Sequence, residues 1–495
     1  MGLLKFRFPN SDPKQAERLR RAYVVGPDRS PFALQAEVKD DLLICKRDSS
    51  ESGRLHVPWP VEGFGVPVIS TSTLAERPEP HNLVLELARG RLCDVKDQLA
   101  DWTQMGLRLT DDLDRDLKIA QHSFAIAATR RDQPSVMNEA AQASLAATFS
   151  AGHRLIEQYV AQVIQTRLSG TQGRLSTHLA CFSEANPKGR WSSTFPETFN
   201  AARLRCSWKS VEAEESAFNW DGLDAQLAWA KKAKLSVHAG PLIDLRDDAL
   251  PDWLALSQGN FESILGLAVD FVRAAISRYK GKVPSWTLIH RPGSSDVMGL
   301  TEEDQVRLTA RLLQVARQVD PAAQYLVGFD RPWSEWMVSG RYRLGPLHLA
   351  DYLARSDLGL SGVELEIAPG YSNPGSLYRD LFDFSKLLDL YALVNLPLSI
   401  NFAFPSAIGP DAKSAKGVKL ETLDWPQPPT EAEQNRIASQ WISLAVAKPF
   451  VRTVTWMQGP EDHLHLFPHS GLIRPDGKPK PLLAWLGSFR REFLA

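Results

Sequence analysis

Residues 221–240 read DGLDAQLAWAKKAKLSVHAG and contain the pattern that decides the fold. The first part, residues 221–233, has the apolar spacing of a helix, and the second, LSVHAG, is a short apolar strand candidate. Helix and strand candidates alternate in this way from the Ser169-Gly170 break to the C-terminus. Because strands that are separated by helices usually lie parallel in one sheet, the alternation predicts an α/β domain.

Eight strand candidates follow one another in this C-terminal region. Eight such units in roughly 320 residues match the usual size of a (β/α)8 TIM barrel. An open doubly wound sheet is the alternative, but no G-x-G-x-x-G or Walker A motif follows any strand, so the barrel is favoured. The candidates are THLACF (177–182), RLRCSW (203–208), LSVHAG (235–240), SWTLIH (285–290), QYLVGF (324–329), GVELEI (362–367), PLSINFAF (397–404) and VRTVTW (451–456).

The first 170 residues have a different pattern. Residues 1–82 contain short strand candidates (LLKFRF, FALQAEV, LLICKR and GVPVIST) between Pro, Gly and Asp turns, which predicts a small β-rich module that could form a sandwich. Residues 83–170 contain three amphipathic helical patterns, which are most simply packing surfaces. We therefore expect a β module at 1–82, a helical segment at 83–170 and the barrel at 171–495.

Composition excludes several classes of function. Hydrophobic residues make up 43% of the chain, charged residues 23%, and the net charge is −1, which argues against a nucleic acid or an anionic membrane as the main partner. The start lacks the apolar core of a secretory signal, and no stretch of about 18 apolar residues occurs, so we expect a cytoplasmic protein. No sequence feature indicates a cofactor. Four cysteines without a CxxC pair predict reduced, mostly buried thiols, namely Cys45, Cys93, Cys181 and Cys206.

The carboxyl ends of the predicted strands carry the candidate functional residues, because the active sites of TIM barrels lie at that face. Trp and His side chains alternate there with Lys, Arg and carboxylates. Aromatic faces stack on sugar rings and charged groups bind hydroxyls, so this mixture predicts a carbohydrate site. The positions are Trp208-Lys209, His238, His290-Arg291, Asp330, Glu366, Phe402 and Trp456.

Several stretches resemble glycoside hydrolase family 10, the endo-β-1,4-xylanases. Residues 208–243 and LPDWL (250–254) are similar to its second and third units, including a Lys-and-Trp strand end and a strand that ends in His238. SWTLIH and LSGVELEI are similar to its fourth and sixth strands, and GLIRPDGKPKPLLAWL (471–486) is similar to its terminal signature. The resemblance covers about residues 175–495, and it implies a TIM barrel with a β-1,4-linked oligosaccharide or polysaccharide as partner.

The chain departs from the family at its two catalytic positions. The family uses one Glu at the end of strand four as acid/base and a second Glu at the end of strand seven as nucleophile. In this alignment Arg291 occupies the first position and Phe402 the second. Arginine stays protonated and phenylalanine has no lone pair, so neither residue can perform the family's chemistry.

Three hypotheses remain open at this point. In the first, the barrel binds carbohydrate with little or no hydrolysis. In the second, it is an active glycosidase with relocated carboxylates, Asp330 and Glu366, with Glu364 and Asp244 nearby; the simpler alternative is that Glu366 pairs with Arg291. In the third, it is a structural scaffold that binds a protein through its first 170 residues. The binding residues under the first hypothesis are Trp208, Lys209, His238, His290, Arg291, Trp333 and Trp456.

The segment EDHLHLFPHS (461–470) contains the residue types of a metal site. Its histidines are His463, His465 and His469, and they follow Glu461-Asp462. Their spacing matches no zinc motif, and histidines in loops are usually solvated. We therefore predict no metal site here.

Overall fold

The computed structural model describes residues 2–9, 14–171, 173–183, 189–294, 296–372 and 375–495. The chain begins with a β module of two small sheets, one with the strand order β3-β4-β1-β7 and the other with the order β2-β5-β6. Alternate residues such as Leu4 and Phe6 point into a core that both sheets share. The elements are β1 (Gly2–Arg7), α1 (Gln15–Leu19), β2 (Tyr23–Val25), β3 (Leu34–Lys39), β4 (Leu42–Arg47), β5 (Arg54–Pro58), β6 (Val68–Ser70) and β7 (His81–Asn82).

Three helices connect this module to the rest of the chain: α2 (Leu83–Gln104), α3 (Asp111–Thr129) and α4 (Pro134–Gly170). The N-terminal half of α4 contributes Phe149 to the core of the module, whereas its C-terminal half contributes Leu155 to the core of the barrel. The helical segment therefore packs against both parts. Among the described residues, no helix combines the length and apolar character needed to cross a membrane.

The C-terminal region is a closed barrel of eight parallel strands, which confirms the predicted (β/α)8 fold. The strands follow chain order around the barrel, and the pairing of β18 with β8 closes it. They are β8 (His178–Ser183), β9 (Ala201–Leu204), β10 (Ser236–Ala239), β12 (Ser285–His290), β13 (Gln324–Phe329), β14 (Leu360–Ile367), β16 (Leu398–Phe402) and β18 (Val451–Trp456); the short strands β11 (Ile243–Asp244), β15 (Tyr371–Ser372) and β17 (Lys419–Leu420) lie in the loops.

Helices surround the barrel and bury the outward faces of its strands. Phe382 and Phe384 from one of them, for example, belong to the same core as the outward residues of β16. The helices are α5 (Gly189–Thr198), α6 (Trp208–Val211), α7 (Asp221–Lys232), α8 (Phe261–Tyr279), α9 (Glu302–Val319), α10 (Pro346–Arg355), α11 (Leu381–Ala392), α12 (Glu431–Ala447) and α13 (Pro481–Phe493).

The second barrel strand is shorter than the sequence predicts. The candidate RLRCSW extends to Trp208, but β9 ends at Leu204 and Trp208 begins α6. Ser207 forms a capping box with Ser210, and this box starts a helical turn in place of the expected strand end. The direction of the Trp208 side chain is consequently set by a helical turn and not by a strand.

Candidate functional site

A cavity of about 350 Å³ opens at the carboxyl end of the barrel. Its walls come from the ends of strands β8 to β18 and from the loops that follow them, as expected for the functional face of a TIM barrel. Charged and polar groups alternate in the walls with a few apolar side chains. The lining includes Phe182, Arg205, Lys209, Asp244, Arg246, His290, Arg291, Glu364, Glu366, Asn401, Met457, Gln458 and Phe467.

Glu364 forms the bottom of this cleft, and its carboxylate is fully saturated with donors. Arg203 of β9 donates to it from both terminal nitrogens, at 2.5 Å and 3.1 Å. Thr287 donates at 2.9 Å and the amide of Asn401 at 2.8 Å. Burial opposes ionisation of Glu364, but the charge of Arg203 outweighs it and lowers the pKa to about 2. We call Arg203, Glu364, Thr287 and Asn401 the floor cluster.

Arg291 lies one layer above, at the end of strand β12, and holds two carboxylates from neighbouring walls. One terminal nitrogen donates to Asp244 Oδ1 at 2.5 Å, and the other donates to Glu366 Oε2 at 2.6 Å. The side chain of Arg291 is 3% exposed, and its Nε lies 3.7 Å from Asp330 Oδ2. The backbone of Arg291 turns to φ +67°, which ends the strand and directs the guanidinium inward. We call Arg291, Asp244, Glu366, Asp330 and His290 the rim cluster.

The electrostatics of the rim cluster shift the pKa values of Asp244, His290 and Arg291. Burial raises the pKa of Asp244, but Arg291 and Arg246 outweigh this and hold it below its ordinary value. Burial and then the charge of Arg291 lower the pKa of His290, so its imidazole is neutral at pH 7. The three carboxylates in turn raise the pKa of Arg291 against the effect of burial. A general acid needs a raised carboxyl pKa, and Asp244 has the opposite.

Asp330, one of the two fallback catalytic residues, does not line the cleft. It accepts hydrogen bonds from Ser294 Oγ at 2.8 Å and from Arg331 Nε at 3.0 Å. Burial raises its pKa, but Arg331 and Arg291 outweigh burial and lower it. Asp330 is thus a buried, ionised partner of arginines, as a structural ion pair requires.

The structure places three of the seven predicted binding residues in the cleft: Lys209, His290 and Arg291. The ammonium of Lys209 contacts Asp252 Oδ1 at 2.6 Å and remains partly exposed. Nδ1 of His290 accepts from Arg291 at 2.9 Å, so the proton is on Nε2, which has no partner among the described residues. Lys209 is therefore the most accessible of these three side chains.

The other four predicted binding residues do not line this cleft. Trp208 is buried in the wall, where its indole donates to Glu212 at 2.7 Å. His238 lies lower in the barrel, between Ser285 and Thr287. Trp456 is buried, and it donates to the backbone oxygen of Ser470 and stacks on Phe404. Trp333 lies at a second cavity between the β module and the barrel.

Phe402 also faces away from the cleft. Its ring packs against Phe384 of α11 and Trp441 of α12, on the outer surface of the barrel. The inward residue at this end of strand seven is Asn401, because neighbouring residues of a strand point to opposite faces. Neither Phe402 nor Asn401 has a carboxylate, so strand seven supplies no acid to the cleft under either alignment.

Sequence reasoning missed two aromatic residues in the cleft, Phe182 and Phe467. Phe182 is the last residue of the first strand candidate, and the argument that selected the other strand ends applies to it equally. Phe467 lies in the loop after strand eight, where the neighbouring histidines directed the interpretation toward metals. Its ring packs on Tyr371, which fixes it at the cleft wall.

The histidines of that loop are engaged in local hydrogen bonds. His465 Nε2 lies 2.9 Å from Asp411 Oδ2, and His463 Nδ1 lies 2.9 Å from Asp462 Oδ1. His469 contacts the backbone oxygen of Gly409. Within the described ranges, no three His, Cys, Asp or Glu residues are arranged to hold a metal ion.

Comparison with known proteins agrees with the resemblance found in the sequence. The family model for glycosyl hydrolase family 10 matches residues 190–324. Endo-1,4-beta-xylanase 1 of Gibberella zeae is 26% identical over 111 residues, which are 22% of this chain and 29% of the relative. Endo-1,4-beta-xylanase B of Thermotoga neapolitana is 24% identical over 83 residues, 17% of this chain and 23% of the relative. The matched segments thus span less than a third of these relatives.

Solved xylanase structures align with about two thirds of this chain. Native xylanase 10B from Thermotoga maritima has a TM-score of 0.49 at 13% identity, covering 64% of this chain and 96% of that one. A GH10 structure from Paenibacillus barcinonensis has a TM-score of 0.48 at 15% identity, covering 64% and 96%. The family-model match and the sequence motifs thus show that part of this barrel is similar to glycoside hydrolase family 10.

Proposed function

We propose that the barrel cleft binds a β-1,4-linked oligosaccharide or polysaccharide and does not hydrolyse it. The observation that carries this proposal is the fork of Arg291 onto Asp244 and Glu366. Arg291 is a permanent cation at the position that the sequence resemblance assigns to the family's proton donor, and it pairs with the carboxylates closest to it. Retaining hydrolysis needs a protonated carboxyl and a free carboxylate about 5–5.5 Å apart, and this rim offers neither.

The composition of the cleft supports a sugar as ligand. Lys209 and Gln458 line the cleft with hydrogen-bonding groups for hydroxyls, and the largely buried rings of Phe182 and Phe467 add apolar surface to its wall. These interactions do not depend on the catalytic carboxylates, because binding and catalysis draw on different contacts. The names of the relatives, which are endo-1,4-beta-xylanases, support a β-1,4-linked chain as the class to test first.

An active enzyme with Asp330 and Glu366 as its catalytic pair is less well supported. The hydrogen-bonding capacity of Asp330 is used by Ser294 and Arg331, and Asp330 does not line the cleft. Glu366 lines the cleft, but its carboxylate is bound to Arg291. An acid/base pair needs two carboxyls whose pKa values are pushed apart, whereas the pKa of Asp330 is lowered.

Calorimetry with xylohexaose and cellohexaose tests the binding. Wild-type protein should bind at least one of them, and Phe467→Ala should weaken binding by about 5- to 100-fold if the ring is an anchor. Phe124→Ala is the matched control, since Phe124 is a half-buried ring in the helical segment that does not line the cleft. If neither oligosaccharide binds at millimolar concentration, the interaction-scaffold hypothesis replaces this proposal.

Release of reducing ends from xylan and cellulose tests the absence of hydrolysis. Loss of the proton donor alone typically removes about 10²–10⁴ in rate, so we expect no turnover above the buffer control. Turnover that disappears in Glu366→Gln or Asp330→Asn would establish the relocated-carboxylate mechanism instead. Arg291→Gln also distinguishes the inactive barrel from the relocated-carboxylate enzyme. It frees Glu366, which would change the hydrolysis rate only if the protein is an active enzyme.

A further inference from the structure

A second cavity, of about 520 Å³, lies between the β module and the barrel. One wall comes from the module, mainly residues 25–31 and 52–56, and the other comes from the loop after β13 and from α11. It is larger than the barrel cleft and shares no lining residue with it. Its volume is in the range typical of small-molecule sites.

The two walls are fastened to each other, so the cavity is a built feature and not a gap between loose parts. The backbone N–H of Val68 donates to the oxygen of Tyr378 at 2.9 Å, and that of Val66 donates to the oxygen of Asp424. Arg18 of the module pairs with Asp424 at 3.2 Å. Arg379 of the barrel donates to the hydroxyl of Tyr23 at 2.8 Å.

The charges in these walls are largely neutralised by ion pairs, some of which join different parts of the chain. Asp94 of α2 accepts from Arg54 of the module at 2.8 Å and from Lys386 of the barrel at 2.5 Å. Arg379 pairs with Asp383 at 3.3 Å. Each of these ion pairs neutralises a charge that would otherwise favour an oppositely charged group on the ligand.

Two further charged residues line the cavity. Asp389 pairs with Lys448 at 2.7 Å. Arg29 is exposed to solvent, where water competes for its guanidinium. An anionic ligand would need several unpaired donors converging on one point, and these walls do not provide them. The charge pattern therefore favours an uncharged ligand.

Neutral polar groups are available inside the cavity. The ring of His56 lines it and stacks on Tyr23 at 4.8 Å, and no described residue hydrogen-bonds either ring nitrogen. Burial, and then the charge of Arg379, lower the pKa of His56, so its ring presents one donor and one acceptor. The hydroxyl of Tyr23 accepts from Arg379, which leaves its own proton to donate.

Apolar surface completes the walls. Pro332, Met337, Leu387 and Leu390 line the barrel side, together with Trp333. Arg379 covers Trp333 at 4.7 Å from the ring centre, and the indole Nε1 has no partner in the described chain. A few neutral donors and acceptors on a mainly apolar wall is the usual make-up of a site for a small uncharged molecule.

We propose that this interdomain cavity binds an uncharged, hydroxylated ring compound of mono- or disaccharide size, at a site separate from the barrel cleft. A hydroxyl donates and accepts at once, so one hydroxyl pair can satisfy both nitrogens of His56. The apolar faces of such a ring match the wall of Pro332, Leu390 and Trp333. Because both domains contribute to the site, a bound ligand would also stabilise their packing.

Three variants separate this site from the cleft. Leu390→Trp fills the cavity from the barrel side. Tyr23→Phe keeps the ring and removes its hydroxyl, and His56→Phe replaces the imidazole with a larger ring that has no polar atoms. The probes are xylose, glucose, xylobiose and cellobiose. Their binding is measured by calorimetry and by saturation-transfer NMR. We expect Tyr23→Phe and His56→Phe to weaken binding by about 5-fold each, the loss of one neutral hydrogen bond, and Leu390→Trp to abolish it.

The cleft variant Phe467→Ala provides the control. Saccharide binding that survives Phe467→Ala and disappears in Leu390→Trp supports the cavity site, whatever happens at the cleft. Binding that is unchanged in both Leu390→Trp and Tyr23→Phe overturns the cavity site and leaves the proposed function untouched. Binding of glucose 6-phosphate that is tighter than that of glucose and sensitive to Tyr23→Phe would also overturn it, because the ligand would then be an anion. Melting temperatures verify that Leu390→Trp folds. If Leu390→Trp does not fold, the effect of Tyr23→Phe on binding tests the cavity site instead.

Discussion

The floor cluster and the rim cluster use the same chemistry, a buried arginine with carboxylates, but they differ in how completely they are closed. In the floor cluster, Glu364 accepts four hydrogen bonds and Arg203 is 0% exposed. In the rim cluster, Arg291 divides its donors between two walls, and His290 keeps an unused N–H. The carboxylate of Glu364 is fully paired without a ligand, whereas Asp244 and Glu366 share one arginine. Both clusters border the cleft, and Arg203 Nε, Asn401 Oδ1 and His290 Nε2 are buried atoms without a partner among the described residues. The difference teaches that Arg291 ties two walls together without filling the cleft.

The largest effect is expected from Arg203→Met, which leaves Glu364 buried without its cation. Breaking a buried ion pair by removing one partner typically costs about 3–5 kcal/mol. We expect a loss of this size in the free energy of barrel unfolding, measured by guanidinium denaturation with tryptophan fluorescence. The double variant Arg203→Met/Glu364→Leu should recover most of it, because no uncompensated charge remains. A loss below about 1 kcal/mol would remove the distinction between the two clusters.

The second-largest effect is expected in the pH dependence of stability, through Glu364 of the floor cluster. The pKa of Glu364 falls from 4.5 to about 2 on folding, so the unfolded chain takes up a proton at a pH where the folded chain does not. The stabilisation is therefore complete above about pH 5 and is lost as pH falls toward 2, and it amounts to about 3 kcal/mol. Denaturation midpoints between pH 6 and 3 should show this slope together with the slopes from Asp244 and Asp330, whose pKa values are also lowered, and Glu364→Gln should reduce it. His238, whose pKa burial and Arg203 lower, adds a loss of the same sign below its ordinary pKa.

The sequence determined the barrel because strand and helix periods alternate eight times, and that pattern depends on no single residue. The direction of individual side chains was harder to obtain. Phe402 and Asn401 are neighbours on one strand, and a shift of one position exchanges the cleft for the outer surface. Trp208 was misplaced because the Ser207 capping box replaces the expected end of a strand with a helical turn.

The ion pair of Arg291 with Glu366 was expected as the simpler alternative, because an inward Glu beside an inward Arg would otherwise leave two buried charges. The participation of Asp244 at 2.5 Å depends on the short strand β11, which no sequence pattern indicated. The interdomain cavity could not be derived at all. Its walls are Tyr23 and His56 on one side and Trp333 on the other, more than 250 positions apart, and no local pattern encodes how such segments pack.

A smaller loss of stability is expected from Arg291→Met. The carboxylates that it would leave unpaired border the cleft, and Asp244 keeps Arg246 at 3.3 Å, so water and a second cation replace part of the lost interaction. We expect about 1–3 kcal/mol, below the loss in Arg203→Met, under the same denaturation conditions. Equal losses in the two variants would contradict the view that the floor is closed and the rim open.

The smallest effect is expected from Lys209→Met at the mouth of the cleft. Lys209 is paired with Asp252, which is 88% exposed, and pairs of this kind contribute at most about 1 kcal/mol to stability. The melting temperature should therefore stay close to that of the wild type. One of the three ammonium protons is used by Asp252, and the remaining two can be donated to a hydroxylated ligand. Xylohexaose binding should weaken by about 2- to 5-fold, whereas Lys118→Met, which removes an exposed lysine of α3 paired with Asp114, should leave it unchanged. An unchanged affinity in Lys209→Met would place the ligand deeper in the cleft, on Phe467 and the rim cluster alone.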